Sequence, residues 1–326
     1  MNISYHLHSL DSAGFEGTIK DFLTIADFSA EQILYLLEQA TEMKHLQKRG
    51  IPHPYLKGKI LGMIFEKSST RTRVSFEVGM KQLGGDAIFL SSKDIQLGRG
   101  ETIEDTAKVL SRYVDGLMIR TFAHETIETF AASAAVPVIN GLTDLHHPTQ
   151  VLADLLTIYE HKGTLTGLKM CYIGDGNNNM CHSLLEGAAV VGMDISVASP
   201  QGYEPNFKII EKAKKLAQQS GSKVVFTNSP QEAAEKADVI VTDVWTSMGQ
   251  ESEKDKRLAA FKDYQVNSGL CSFAKDDFIF MHCLPAHRGE EVAAEIIDGP
   301  HSVVFDEAEN RLHAQKAILK ALMQTK

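Results

Sequence analysis

Short apolar runs alternate with helix-period stretches along both halves of the chain, and this alternation constrains the fold more than any other feature. Residues 59–65, 87–90, 116–119 and 136–139 read as buried strands, separated by helical patterns at about 70–83, 102–113 and 124–134. A break at Gly163 and Gly167 precedes a second series. Its strands lie at 168–173, 193–198, 223–226, 238–243, 278–281 and 302–305, with helices at about 180–191, 205–219 and 230–236. A last helix covers about 307–323. Strands that alternate with helices pair in parallel, because each crossover returns over one face of the sheet. The expectation is an α/β chain of two domains, each a mostly parallel sheet flanked by helices, and 326 residues suffice for two cores. The domains are expected at 1–152 and 153–306, with the C-terminal helix, 307–326, packing back onto the first. Residues 1–20 show no clear pattern. Ser29-Ala30-Glu31-Gln32 is a capping box, with Phe28 and Ile33 placed as a staple, and Gly50 followed by Pro52 ends the helix it opens.

Ligands of parallel sheets bind off the carboxyl ends of the strands. Polar clusters at 69–73, 120, 146–150, 174–180, 243–249 and 282–285 each follow a predicted strand. An active site in one cleft between the two domains would collect them all. A formal charge of −9 argues against a nucleic-acid partner, which usually draws a basic face. No apolar run is long enough to span a bilayer, and the N-terminus lacks a basic-then-apolar signal, so no membrane partner is expected. Four scattered cysteines, with no C-x-x-C pair, suit a reducing cytoplasm.

The segment Ser68-Ser69-Thr70-Arg71-Thr72-Arg73 sits at a strand-to-helix turn. Backbone N–H groups and the positive end of a helix suit an anion there. Hydroxyls add donors, and Arg71 or Arg73 can fork onto a phosphate. A lone serine cap would explain less, since two arginines interleaved with four hydroxyls exceed what a cap needs. His147-Pro148-Thr149-Gln150 opens another helix, and the Gln150 amide can match both edges of a –C(=O)NH₂ group through a donor and an acceptor. Side-by-side His146 and His147 suit a single metal ion poorly. Gly174-Asp175-Gly176-Asn177-Asn178-Asn179 lacks the third glycine of a dinucleotide turn, and no P-loop is present. Asp243 ends a strand, where a carboxylate can hold an amine; the plain alternative is a capping Asp beside a core Trp245 and Met248. Cys283, with His282 and His287, offers a nucleophile or zinc reading, but neither has a third partner in the sequence.

Taken in order, these motifs resemble those of the aspartate/ornithine carbamoyltransferase family, over essentially the whole chain. The resemblance implies carbamoyl transfer from carbamoyl phosphate. Ser69, Thr70, Arg71 and Thr72 match the carbamoyl-phosphate signature, joined by Gln96, Arg120, His147, Pro148, Thr149, Gln150, Cys283, Leu284 and Arg311. Asp243 with Ser247-Met248-Gly249 resembles the loop of the ornithine-specific members, and Asn179, with Asn178 the near alternative, matches the asparagine that holds the amino acid. This implies the δ-amine of L-ornithine as acceptor and L-citrulline as product; putrescine or an acylated ornithine is the alternative. Arg120, His147, Asp243 and Cys283 are the catalytic candidates. The resemblance further implies no cofactor, no metal, and a homotrimer or a larger assembly of trimers.

Overall fold

The computed structural model describes residues 19–96, 100–247, 249 and 251–324. The chain divides into two compact units: residues 1–144 with 312–326, and residues 145–311. The sequence places these boundaries at 152/153 and 306/307. The observed division falls earlier, before His147, and later, inside the last helix.

In the first unit, α1 (Ala30–Lys48) opens on the Ser29 capping box, with Ser29 Oγ accepting from the Gln32 N–H. Four parallel strands follow, β1 (Ile60–Phe65), β2 (Asp86–Ser91), β3 (Gly116–Arg120) and β4 (Val138–Leu142), in the order β2-β1-β3-β4. Their crossovers are α2 (Thr70–Gln82), α3 (Ile103–Leu110) and α4 (His124–Ser133). Every residue of β3 and β4 is buried, as continuous apolar strands of a covered parallel sheet should be. Ile64, Leu117, Ile119, Ile127 and Phe130 form the core between sheet and helices.

The second unit begins with α5 (Pro148–Lys162), where Pro148 takes the first helical position and Gly163, at φ 75°, ends the helix in the left-handed region. Its sheet runs β7-β6-β5-β8-β9, all parallel: β5 (Lys169–Ile173), β6 (Asp194–Ala198), β7 (Val224–Thr227), β8 (Val239–Thr242) and β9 (Ile279–Met281). The helices are α6 (Asn179–Val191), α7 (Phe207–Ser220), α8 (Pro230–Ala234), α9 (Lys254–Phe261), α10 (Ser268–Cys271) and α11 (Ala294–Ile297). The strand expected at 302–305 does not form. Ser302 makes a single bridge to Phe280, and Val304 already starts α12 (Val304–Met323), whose first turn carries Asp306 and Glu307. Two acids complement the positive start of a helix, and that outweighs the β-branched pair Val303-Val304. The sequence reading misses α9, α10 and α11, two of which are single-turn helices too short to show a period.

Among the described residues no helix is long and apolar enough to cross a membrane. All four cysteines are free thiols.

Candidate active site

The first unit presents an anion-binding edge. Ser69 caps α2: its Oγ accepts from the Thr72 N–H at 3.2 Å and donates to Thr72 Oγ1 at 3.0 Å. Thr72 is buried, Ser69 and Arg71 are half-buried, and Thr70 is exposed. The first turn of a helix has N–H groups with no carbonyl of its own helix to meet, and they suit a phosphate. Arg73 is committed elsewhere. Its guanidinium lies 3.9 Å from the Phe89 ring centroid and its Nε donates to Glu77. Arg120 ends β3, buried, in register with Phe65 at the end of β1. The Glu66 N–H donates to the Arg120 carbonyl at 2.8 Å, which ties the loop entering α2 to that arginine. Lys67 pairs with Asp144 and Glu66 accepts from Thr121 Oγ1, so both residues ahead of the cap are held by side-chain contacts. Gln96 is exposed.

The second unit presents a buried acidic network. His147, Pro148, Thr149 and Gln150, all buried, begin α5. The start of α6 fixes this turn: the His147 N–H donates to Ser183 Oγ at 2.8 Å. His182 accepts from the Asn206 N–H at Nε2, so its Nδ1–H donates to the Leu145 carbonyl at 3.1 Å. Burial pushes the His182 imidazole down to about 4, so it serves as a neutral brace. Gln150 Nε2 donates to Asp154 Oδ1 at 2.8 Å and to Glu307 Oε1 at 3.1 Å. Both its N–H groups are therefore spent, and the expectation that Gln150 matches both edges of a carbamoyl group fails; only the oxygen edge is left. Burial raises the carboxyls of Asp154 and Glu307, opposed at Asp154 by the Gln150 hydrogen bond and at both by the charge of Arg311.

Asp243 follows β8 and is buried, which raises its carboxyl above the ordinary aspartate range, opposed chiefly by His282. Cys283 Sγ donates to Asp243 Oδ1 at 3.3 Å, the Val244 N–H donates to the same oxygen at 2.8 Å, and Asn178 Nδ2 donates to Oδ2 at 3.3 Å. Burial, then the charges of Asp243 and Glu307, raise the Cys283 thiol well above its usual range. It is a hydrogen-bond donor to the carboxylate, not a thiolate nucleophile. Asn178 caps α6, its Oδ1 accepting from the Cys181 N–H at 2.8 Å, so both ends of its amide are occupied. Asn179 is half-buried at the first helical position. His282 is fully buried; the Leu284 N–H donates to its Nδ1 at 2.9 Å, and its Nε2–H donates to Glu291 at 3.2 Å. Leu284 sits at φ 56°, a left-handed conformation that costs a branched side chain on the order of 1–3 kcal/mol and concentrates at functional sites.

Ser247 is half-buried, and Met248 lies outside the described residues. Trp245 is a core residue, stacked 5.8 Å from Phe261, as the plain reading had it. The Gly174–Asn179 turn owes its glycines to geometry. Gly174 adopts φ 141°, and a Cβ on Gly176 would lie 2.7 Å from the Tyr203 carbonyl oxygen.

Asp243, His282 and Cys283 have ligand-type atoms within 4.8 Å of one another, as do His287, Glu290 and Glu291. The fold thus supplies the third partner that the sequence lacked for Cys283. Both nitrogens of His282 are nonetheless already engaged by Leu284 and Glu291.

Sequence reasoning misses several residues that hold the site. Asp154 and Glu307 stand four residues from Gln150 and Arg311, one helical turn away, and that spacing is the signal that could have found them. Arg257 donates to Asp175 at 2.6 Å and to the Trp245 carbonyl at 3.1 Å, which clips the loop after Asp243 to the turn before Asn178. Nothing local in the sequence announces it.

The aspartate/ornithine carbamoyltransferase carbamoyl-P binding domain matches residues 20–160, and the Asp/Orn binding domain of the same family matches residues 166–322. The chain is 61% identical to an ornithine carbamoyltransferase of Carboxydothermus hydrogenoformans, over 93% of this chain and 97% of the relative. It is 61% identical to one of Bacillus subtilis, over 97% of each. A solved ornithine carbamoyltransferase of Pyrococcus furiosus superposes with a TM-score of 0.91 at 55% identity, covering 93% of this chain and 97% of that one. The chain belongs to the aspartate/ornithine carbamoyltransferase family.

Proposed function

We propose that this chain transfers the carbamoyl group of carbamoyl phosphate to the δ-amine of L-ornithine, giving L-citrulline and phosphate. One observation carries the acceptor assignment: a buried carboxylate, Asp243, gathered by Cys283 and Asn178 at the end of β8, beside the Ser247-Met248-Gly249 loop. Such a carboxylate suits a cationic amine. The match to ornithine carbamoyltransferases along nearly the whole chain supports the same reading.

In this reading Ser69, Thr70, Arg71, Thr72, Arg120 and Arg311 neutralise the phosphate dianion, with Gln96 reaching it from its loop. His147, held by Ser183, and Arg120 meet the negative charge that builds on the carbonyl oxygen as the amine attacks. Pro148 and Thr149 shape the turn that presents His147 and Gln150. Asn179, Ser247 and Met248 hold the α-substituents of ornithine, while Asp243, with Cys283 and the Leu284 backbone, orients the δ-amine. The ammonium first loses a proton. The nitrogen lone pair then forms the new C–N bond, and the C–O bond to phosphate breaks with its electron pair going to phosphate. The second amine proton leaves with the phosphate. Holding two reactants in line can contribute roughly 7–11 kcal/mol, and the chemistry needs neither cofactor nor metal.

Citrulline formation with L-ornithine, putrescine and an N-acylated ornithine tests the acceptor. L-Ornithine should give by far the highest kcat/KM; a higher value for putrescine would overturn the assignment. The working assembly we propose is a homotrimer, or a set of trimers, in the cytoplasm, serving arginine biosynthesis or its catabolic reverse, with the Gln96 loop shared between subunits. Light scattering that finds a fully active monomer near 36 kDa would remove the shared loop.

A further inference from the structure

Gln150 is fully buried, and its amide is fixed by two acids. Nε2 carries two hydrogens; one meets Asp154 Oδ1 at 2.8 Å and the other Glu307 Oε1 at 3.1 Å. Oε1 is buried and has no hydrogen-bond partner among the described residues. The two acids are themselves anchored. Asp154 stands one turn along α5, and Glu307 Oε2 accepts from the His282 N–H at 2.9 Å. A flipped amide would put its oxygen against two carboxyls and bury two N–H groups facing no acceptor.

We propose that Asp154 and Glu307 are positioning residues: they lock Gln150 so that it offers only an acceptor, and the site thereby selects an amide-bearing phosphoryl ligand over one with a methyl group in the same place. The proposal rests on the carbamoyl-phosphate reading above. A buried acceptor left unmet is costly, and such an atom calls for a partner from a ligand, an ion or water. The carbamoyl –NH₂ supplies the missing N–H, whereas an acetyl methyl group of nearly equal size cannot.

Two phosphonates that differ only at this point make the test: phosphonoacetamide, with –NH₂ on the carbonyl, and acetonylphosphonate, with –CH₃. Each is titrated calorimetrically into the whole protein. The wild type should bind the amide about 10- to 100-fold more tightly, the worth of one buried hydrogen bond. In Asp154→Asn or Glu307→Gln an introduced –NH₂ can face Gln150, and the amide is free to flip. The preference should then fall below about threefold, while acetonylphosphonate binds as before. A merely structural role would weaken both ligands alike, and that result overturns the proposal. So does a wild type that binds the two equally, or a preference that survives in either folded variant. If the wild type binds neither phosphonate, the carbamoyl-phosphate reading itself falls and takes the proposal with it.

Discussion

The two units meet charge in opposite ways. The edge of the first unit is built from donors: the start of α2, the Ser69 and Thr72 hydroxyls, and Arg71, much of it half-exposed. The network of the second unit is built from buried acids, Asp154, Asp243 and Glu307, each pushed toward its neutral form by burial. An anion can be met by backbone amides that a helix start provides anyway, with little desolvation. A cationic amine needs carboxylates, and carboxylates removed from water resist ionising until a counter-charge arrives. The first unit is therefore suited to an anion, and the buried carboxyls of the second to a cationic amine.

Removing the charge on the buried side tests this contrast most severely. Asp243→Asn keeps the shape and deletes the carboxylate, and losing one partner of a buried charge pair costs about 3–5 kcal/mol. The kcat/KM for ornithine should fall about 10²- to 10⁴-fold, with the KM for carbamoyl phosphate within about threefold of wild type. Unchanged ornithine kinetics would sink the assignment of the amine site.

On the half-exposed side the effect should be smaller. Arg71→Ala deletes charge-assisted hydrogen bonds worth about 1.5–3 kcal/mol. The kcat/KM for carbamoyl phosphate should drop about 10- to 100-fold, and thermal unfolding should stay close to wild type. A loss equal to or greater than that of Asp243→Asn would erase the distinction between the two sides.

The smallest effect is a slope. The δ-amine is a lysine-like group with an ordinary pKa near 10.4, so its neutral fraction grows about tenfold per pH unit between 7 and 9. Initial rates at low ornithine should climb accordingly. As the pH falls the rate should drop further once Asp243, whose carboxyl burial raises above the ordinary aspartate range, takes up a proton and releases the amine. A rate flat from pH 7 to 9 would mean that the site deprotonates bound ornithine, and would shift that task onto Asp243 and its neighbours.

Much of the fold was legible because strand runs and helix periods are local. β1 to β9 follow the apolar runs, and the caps at Ser29, Ser69 and Pro148 are written in single residues. Val303-Val304 misled because the acids one turn later decide the segment. Motif residues were legible in the same local way. Arg257, Asp154 and Glu307 were not, because their worth lies in partners far along the chain: Arg257 is 82 residues from Asp175, and Gln150 is 157 residues from Glu307. The spent donors of Gln150 could not be foreseen either, since a sequence lists an amide without saying which edge its neighbours consume.

The division of the chain inside α12 bears on how the chain folds. Lys316 Nζ donates to Gln47, 269 residues earlier, and to Gln82, while a Cβ on Gly116 would meet Met323. Residues 312–324 thus complete the core of the unit that opens the sequence. The second unit, an unbroken stretch from 145 to 311, needs no such distant piece. Loop-closure entropy must be met before distant contacts reward it. The expectation is that the later stretch of sequence folds first, and that the anion-binding unit is completed only when its closing helix arrives. Nicking the chain near residue 312 should leave the acid network folded and strand the phosphate site half-built.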